Sequence, residues 1–180
     1  APGDRLVFYF AGRGATTYGD RPTSYLVPYD ADPSDESTFI PLRALLEVLS
    51  VLPSNHVLVV LDGGFPGPVL DKGLTDPEVS RVFSQQARLL RRRRSFQVIA
   101  SHQPNTTPGR VSLPADLSVS FGEAIRRGIG GEASLDRFGV PRNGGLITGA
   151  SLARYAQRLT TGGGPSVSFW SFDGHEGGEY

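Results

Sequence analysis

The stretch HVLVVLDGGFPG, residues 56–67, decides how the chain folds. Its five consecutive apolar residues, Val57 to Leu61, lie between His56 and a glycine-rich segment. A short, continuous run rich in β-branched side chains is expected of a strand covered on both faces of a parallel sheet. LDGGFPG (61–67) then reads as a turn. In α/β proteins such strand ends carry the chemistry, because side chains there project from a rigid sheet into a crevice. Here the turn offers mostly glycine.

Working outward, LVFYF (6–10), FQVIA (96–100) and VSFWSF (167–172) predict three more strands, the first two covered on both faces. Between them lie helical patterns. In PLRALLEVLSVLP (41–53), Leu42, Leu45, Leu46 and Leu49 follow the spacing of one helix face, with prolines near both ends. DPEVSRVFSQQARLLRRRR (76–94) offers Asp76 as an N-cap and Pro77 at the first helical position. SVSFGEAIRRGI (118–129) and TGASLARYAQRL (148–159) complete the set, the latter with Thr148 as its cap. Strands alternating with helices imply crossover connections, hence an α/β fold with a mainly parallel sheet flanked by helices. The Gly- and Pro-rich stretches 62–68, 104–114, 139–145 and 161–165 are too short for domain linkers, so residues 1–180 read as one domain.

Composition removes whole classes of function. Formal net charge is zero and the sequence pI is about 7.1, which favours neither nucleic acid nor an anionic membrane as partner. With no cysteine, the chain has no disulfide, zinc-thiolate site or thiol nucleophile of its own. No apolar run approaches the ~18 residues that suggest a membrane-spanning helix, and the expectation is a cytoplasmic protein. The three histidines show no metal-ligand spacing, so no metal or other cofactor is expected.

DRLVFYFAGRGA (4–15), SYLVPYDAD (24–32), an amphipathic helix and then HVLVVLDGGFPG resemble, in that order, the caspase-like cysteine peptidases: caspases, metacaspases and bacterial orthocaspases. Members of that family carry a strand ending in Ser-Gly-His-Gly, a Tyr-Leu-x-Pro-x-Asp segment and a strand ending in Asp-x-Cys-x-Ser-Gly. SFGEAIRRGIGGEAS (120–134), NGGLITGASLARYAQRL (143–159) and PSVSFWSFDGHEGGEY (165–180) are similar to later family segments, so the resemblance covers nearly the whole chain. It implies a caspase-like three-layer sandwich. It also makes DRLVFYFAGRG the family's third strand, so that two N-terminal strands and a helix are missing from this chain and are expected on another fragment. Without them LVFYF would be an exposed apolar edge, which natural proteins cover.

The departures concern the chemistry. Arg13 stands where the family carries its catalytic His, and Gly64 where it carries the nucleophilic Cys. Peptide hydrolysis of that kind needs a thiolate and an imidazole within hydrogen-bond reach. Glycine has no side chain, and a guanidinium stays protonated, so it cannot act as the general base. Ala11, Gly63 and Pro66 also depart from the family pattern, which points to a natural pseudoenzyme rather than a single engineered exchange. The resemblance implies that Asp62 and Ala11 are the remnant of the substrate pocket. The resemblance would have Asp62 attract a basic side chain, whereas the plainer reading pairs it with Arg13 and plugs the cleft.

Other constellations are weaker. Ser101 and His102 follow FQVIA on the correct edge of the sheet, but adjacent residues of an extended segment point opposite ways and so do not pair. His56 precedes a strand, and His175 lies in the terminal GHEGGEY loop. DADPSDE (30–36) reads as a solvated loop, and RRRR (91–94) as a basic helix terminus that complements the helix dipole. The leading expectation is a catalytically dead caspase-like domain that binds a protein partner, an active relative or a second copy, within a larger bacterial signalling or defence protein. Caspase domains commonly dimerise through their last strands, which makes Phe169, Trp170 and Phe172 the expected interface. The rivals are a hydrolase using Ser101, His102 or His175, and an inert structural spacer.

Overall fold

The computed structural model describes residues 3–17, 23–66, 92–103, 120–135, 139, 141, 145–160 and 165–180. Strands β1 (Arg5–Ala11), β5 (His56–Pro66), β6 (Ser95–Gln103) and β7 (Ser166–Ser171) form one sheet in the order β1-β5-β6-β7. The first three are parallel and β7 runs antiparallel to β6. A second, antiparallel sheet comprises β2 (Arg13–Thr17), β3 (Thr23–Val27) and β4 (Ile40–Pro41), followed by helix α1 (Leu42–Ser50). Helices α2 (Phe121–Ile129) and α3 (Gly149–Thr160) precede β7. The fold is mixed α/β, with a mainly parallel sheet flanked by helices, as the alternation of patterns predicts. The expected helix over 76–94 falls outside the described residues except for its last three positions.

Burial follows the two-residue period of the strands. Val57, Val59 and Leu61 join Phe96, Val98 and the α1 leucines Leu42, Leu46 and Leu49 in one core cluster. Leu58 and Val60 join Ile99, Phe121, Ile125, Leu152 and Phe169 in the other. The central strand is thus covered on both faces, and each such side chain contributes about 1.5–3 kcal/mol by leaving water. β1 differs from expectation. Leu6, Phe8 and Phe10 pack against the α1 side, but Val7 and Tyr9 are nearly half exposed, because the helices of the opposite face pack over β5, β6 and β7.

Residues 62–66 are a second correction, since the strand continues through them. Between Leu61, opposite Ala100, and Phe65, opposite His102, the register against β6 slips: residues 62–64 of β5 face Ser101 alone. Gly64 takes up the irregularity at φ 53°, a left-handed conformation that costs a side-chain-bearing residue about 1–2 kcal/mol. The slip seats Phe65, which is fully buried. A Cβ on Gly14 would lie 2.4 Å from the Phe65 ring and one on Gly63 2.7 Å, so glycines of β2 and β5 make room for it. The glycines of this segment serve packing and backbone geometry.

Side chains cap the starts of α2 and α3, whereas Pro41 at the start of α1 makes no such bond. Ser120 Oγ accepts the Glu123 N–H at 3.2 Å at the start of α2. Thr148 and Ser151 exchange bonds at the start of α3: Thr148 Oγ1 accepts from Ser151 N at 3.1 Å, and Ser151 Oγ from Thr148 N at 2.9 Å. Each such cap is worth about 1 kcal/mol.

Candidate functional site

The C-terminal ends of β1 and β5 lie side by side. Their parallel register places Ala11 opposite Asp62, and the Gly12 N–H donates to the Asp62 carbonyl at 3.1 Å. Alternation along β5 puts the Asp62 side chain on the α2 side of the sheet, with Leu58 and Val60. There its Oδ1 accepts the Ser101 hydroxyl at 3.2 Å and its Oδ2 the Tyr9 hydroxyl at 3.4 Å. The backbone N–H of Gly122, in the first turn of α2, donates to the same carboxyl group. A Cβ on Gly122 would stand 2.8 Å from the Tyr9 hydroxyl and 3.0 Å from Asp62 Oδ2, so glycine lets the helix start approach this closely.

Three donors and a helix N-terminus favour the carboxylate. Desolvation opposes them and prevails, holding the Asp62 carboxyl above the usual aspartate range. The Tyr9 phenol is also pushed up, first by burial and then by the neighbouring Asp62 charge. Ser101 Oγ accepts the Gly64 N–H at 3.2 Å while donating to Asp62, so one hydroxyl of β6 braces the end of β5 at two positions.

The expected Arg13–Asp62 pair does not form. Arg13 is exposed and opens β2, whose next residue, Gly14, abuts Phe65 on the opposite face of the main sheet from the Asp62 side chain. Asp62 takes its partners from Tyr9, Ser101 and Gly122 instead. Gly64 contributes only its backbone, and Ala11 is exposed beside Asp62.

Ser101 and His102 do point to opposite faces. Ser101 is 1% exposed with its proton donated to Asp62, which closes it as a nucleophile. His102 Nδ1 lies 3.1 Å from the Ser168 hydroxyl across the β6–β7 ladder, and burial holds its imidazole below the usual histidine range. His175 Nδ1 accepts the Phe96 N–H at 3.2 Å, and its pKa too is lowered by burial. His56 is buried in β5. Arg94, the last residue of the basic run, lies 4.6 Å over the Phe96 ring. In 30–36, Asp32 and Asp35 cap local turns through the Ser34 and Ser37 N–H groups, each at 2.9 Å. Among the described residues no group of three or more acidic or histidine side chains is arranged to hold a metal ion.

The aromatic residues expected at an interface lie elsewhere. Phe169 (8% exposed) and Trp170 (6%) point into the two opposite core clusters, and Phe172 stacks on Phe96 with ring centroids 5.1 Å apart. Alternation along a strand sandwiched between two layers explains this, because both faces of β7 are inward. What β7 presents outward is its edge: among the described strands it pairs only with β6.

Sequence reasoning missed Tyr9, Gly122 and Ser168. Tyr9 alternates with core residues in an apolar run, and its meeting with Asp62 depends on the β1–β5 register, which carries no local signal. The chain matches no protein-family model and no curated protein. Among the described residues no helix is long and apolar enough to cross a membrane.

Proposed function

We propose that the chain is a catalytically inactive caspase-like domain that works by binding a protein partner. The observation that carries this reading is the state of the two strand ends. Where the resembled family needs an imidazole and a thiolate, Arg13 is an exposed guanidinium and Gly64 a left-handed glycine whose N–H is committed to Ser101. Asp62 is retained but is held by Tyr9, Ser101 and the start of α2. A hydrogen-bonded, part-buried cluster of this kind braces a scaffold and leaves no activated nucleophile at these strand ends.

The binding surface in this reading is the outer edge of β7 beyond Val167, whose N–H already donates to Gln157 Oε1 at 2.8 Å; the rest of that edge would pair with another last strand, from a second copy or an active relative. Sedimentation of the chain alone and mixed with caspase-like domains tests it. A complex that Ser166→Lys/Ser171→Lys weakens, by charging both ends of β7, is the expected result. A monomer in every mixture contradicts the reading and leaves a structural spacer. One contact favours a second reading, a hydrolase with relocated residues: the Ser168–His102 pair, whose imidazole burial keeps neutral.

A further inference from the structure

Beyond β7, residues 172–180 follow an irregular path along the start of β6 and on to α3 and β1. The Phe172 N–H donates to the Phe96 carbonyl at 3.1 Å, and the Glu176 and Gly178 N–H groups both donate to the Arg94 carbonyl, at 3.0 and 3.1 Å. His175 Nδ1 accepts the Phe96 N–H at 3.2 Å. Farther on, Gln97 Nε2 donates to Glu179 Oε2 at 3.2 Å while its Oε1 accepts the Tyr180 N–H at 3.4 Å. The Ala150 N–H, in the first turn of α3, donates to the same Glu179 carboxyl. Gly174 fits the path at φ 88°, where a Cβ would stand 2.8 Å from the Phe96 ring. The segment is a docked strap, and its hold is mostly polar: Phe172 and Tyr180 pack against the core clusters but are only partly buried. Segments held in this way open at lower free energy than the sheet they cover.

The His175 bond makes this hold depend on pH by its own chemistry. An imidazole accepts at Nδ1 only while neutral, with its proton on Nε2; once protonated, both nitrogens donate, and Nδ1–H would face the Phe96 N–H. The charges along this half of the strap are its own Asp173 and Glu176, with Arg93 and Arg94 from β6. From α1, Arg43 acts on Asp173 and is itself bonded to Glu47. At the other end Arg5 lies over the Tyr180 ring and is in register with His56 of β5. Burial lowers the His175 pKa, so the docked ring resists the proton. Burial raises that of Glu179, so acid favours its docked state, and a neutral carboxyl still accepts from Gln97 and Ala150. The two ends of the strap respond to acid in opposite directions.

We propose that residues 172–180 are an acid-released strap: protonation of His175 opens the first half and uncovers the Phe96 N–H and the Arg94 carbonyl, while the Glu179 end stays docked and the sheet stays folded. Amide hydrogen exchange of the intact chain tests this, with each rate corrected for the intrinsic rate at the same pH. Protection of the Phe96 and Glu176 amides falls at least about threefold between about pH 7 and about pH 5, while Ala150 and Ile99 keep theirs. His175→Gln, whose side-chain carbonyl accepts at any pH, makes the Phe96 profile flat. Equal Phe96 protection at both ends of the range in the wild type overturns the proposal, as does a slope that persists in His175→Gln. So does a parallel loss at Ala150 or Ile99, which would mean that the strap does not open by itself. The wild-type comparison of Phe96 with Ile99 decides the matter even where His175→Gln does not fold.

Discussion

The Ser101 hydroxyl donates to Asp62 Oδ1 at 3.2 Å, and the same oxygen accepts the Gly64 N–H at 3.2 Å. One buried atom therefore ties β6 to two positions of β5 within its irregular stretch. Ser101→Ala removes a donor and an acceptor at once and should cost about 1–3 kcal/mol, read from the denaturation midpoint. A midpoint unchanged from wild type would mean that the strand ends do not depend on this brace.

Asp62 carries a pH signature. Burial raises its pKa in the folded protein, so its ionisation is costlier there than in the unfolded chain. The stability associated with its neutral form is fully present below the unfolded value and is lost as pH rises through the folded value. Asp62→Asn, which cannot ionise, should therefore gain on wild type as pH rises from the ordinary carboxylate range upward. Denaturation series across that range check this, and a difference that is flat or of opposite slope contradicts it.

The packing of Phe65 predicts where a single methyl is not tolerated. Gly14→Ala drives a Cβ into the buried ring and should cost about 1–3 kcal/mol. Gly64→Ala should cost about 1–2 kcal/mol for a different reason, its left-handed φ. Thermal or chemical unfolding measures both. If Gly14→Ala is neutral while Gly64→Ala is not, the ring seat is looser than the geometry requires.

His175 should give the opposite slope. Its imidazole accepts the Phe96 N–H, and burial lowers its pKa, so the folded protein disfavours the protonated ring. Its contribution is present above the unfolded pKa, near 6.5, and is lost as pH falls through the lower folded value. Wild type should lose its advantage over His175→Gln on acidification, as unfolding series from pH 8 to pH 5 would show at about two pH values per unit. An advantage that grows toward pH 5 would exclude the bond as described.

The fold was legible wherever burial imposes a period. HVLVVL and FQVIA are buried on both faces, and Leu42, Leu46 and Leu49 line one side of α1, because hydrophobic patterning reflects what each element must cover. The antiparallel sheet β2-β3-β4 was not read, since RGATT and TSYLV are short and mixed in character and their pairing is decided by contacts across the chain. LDGGFPG read as a turn because glycine more often marks turns, whereas here Gly63 and Gly64 accommodate Phe65 within a strand. At the site, Asp62 was legible by its position at a strand end. Its partners were not: Tyr9, Ser101 and Gly122 reach it from three elements whose juxtaposition no local pattern encodes.

The central claim is the lack of peptide-cutting chemistry at the strand ends. The most direct measurement combines turnover of fluorogenic peptides bearing Arg, Lys or Asp with intact-mass detection of labelling by serine- and cysteine-directed probes. The account predicts no turnover and no adduct. Turnover abolished by Ser168→Ala or His102→Ala, or a probe adduct mapped to Ser168, would contradict it and establish the relocated hydrolase.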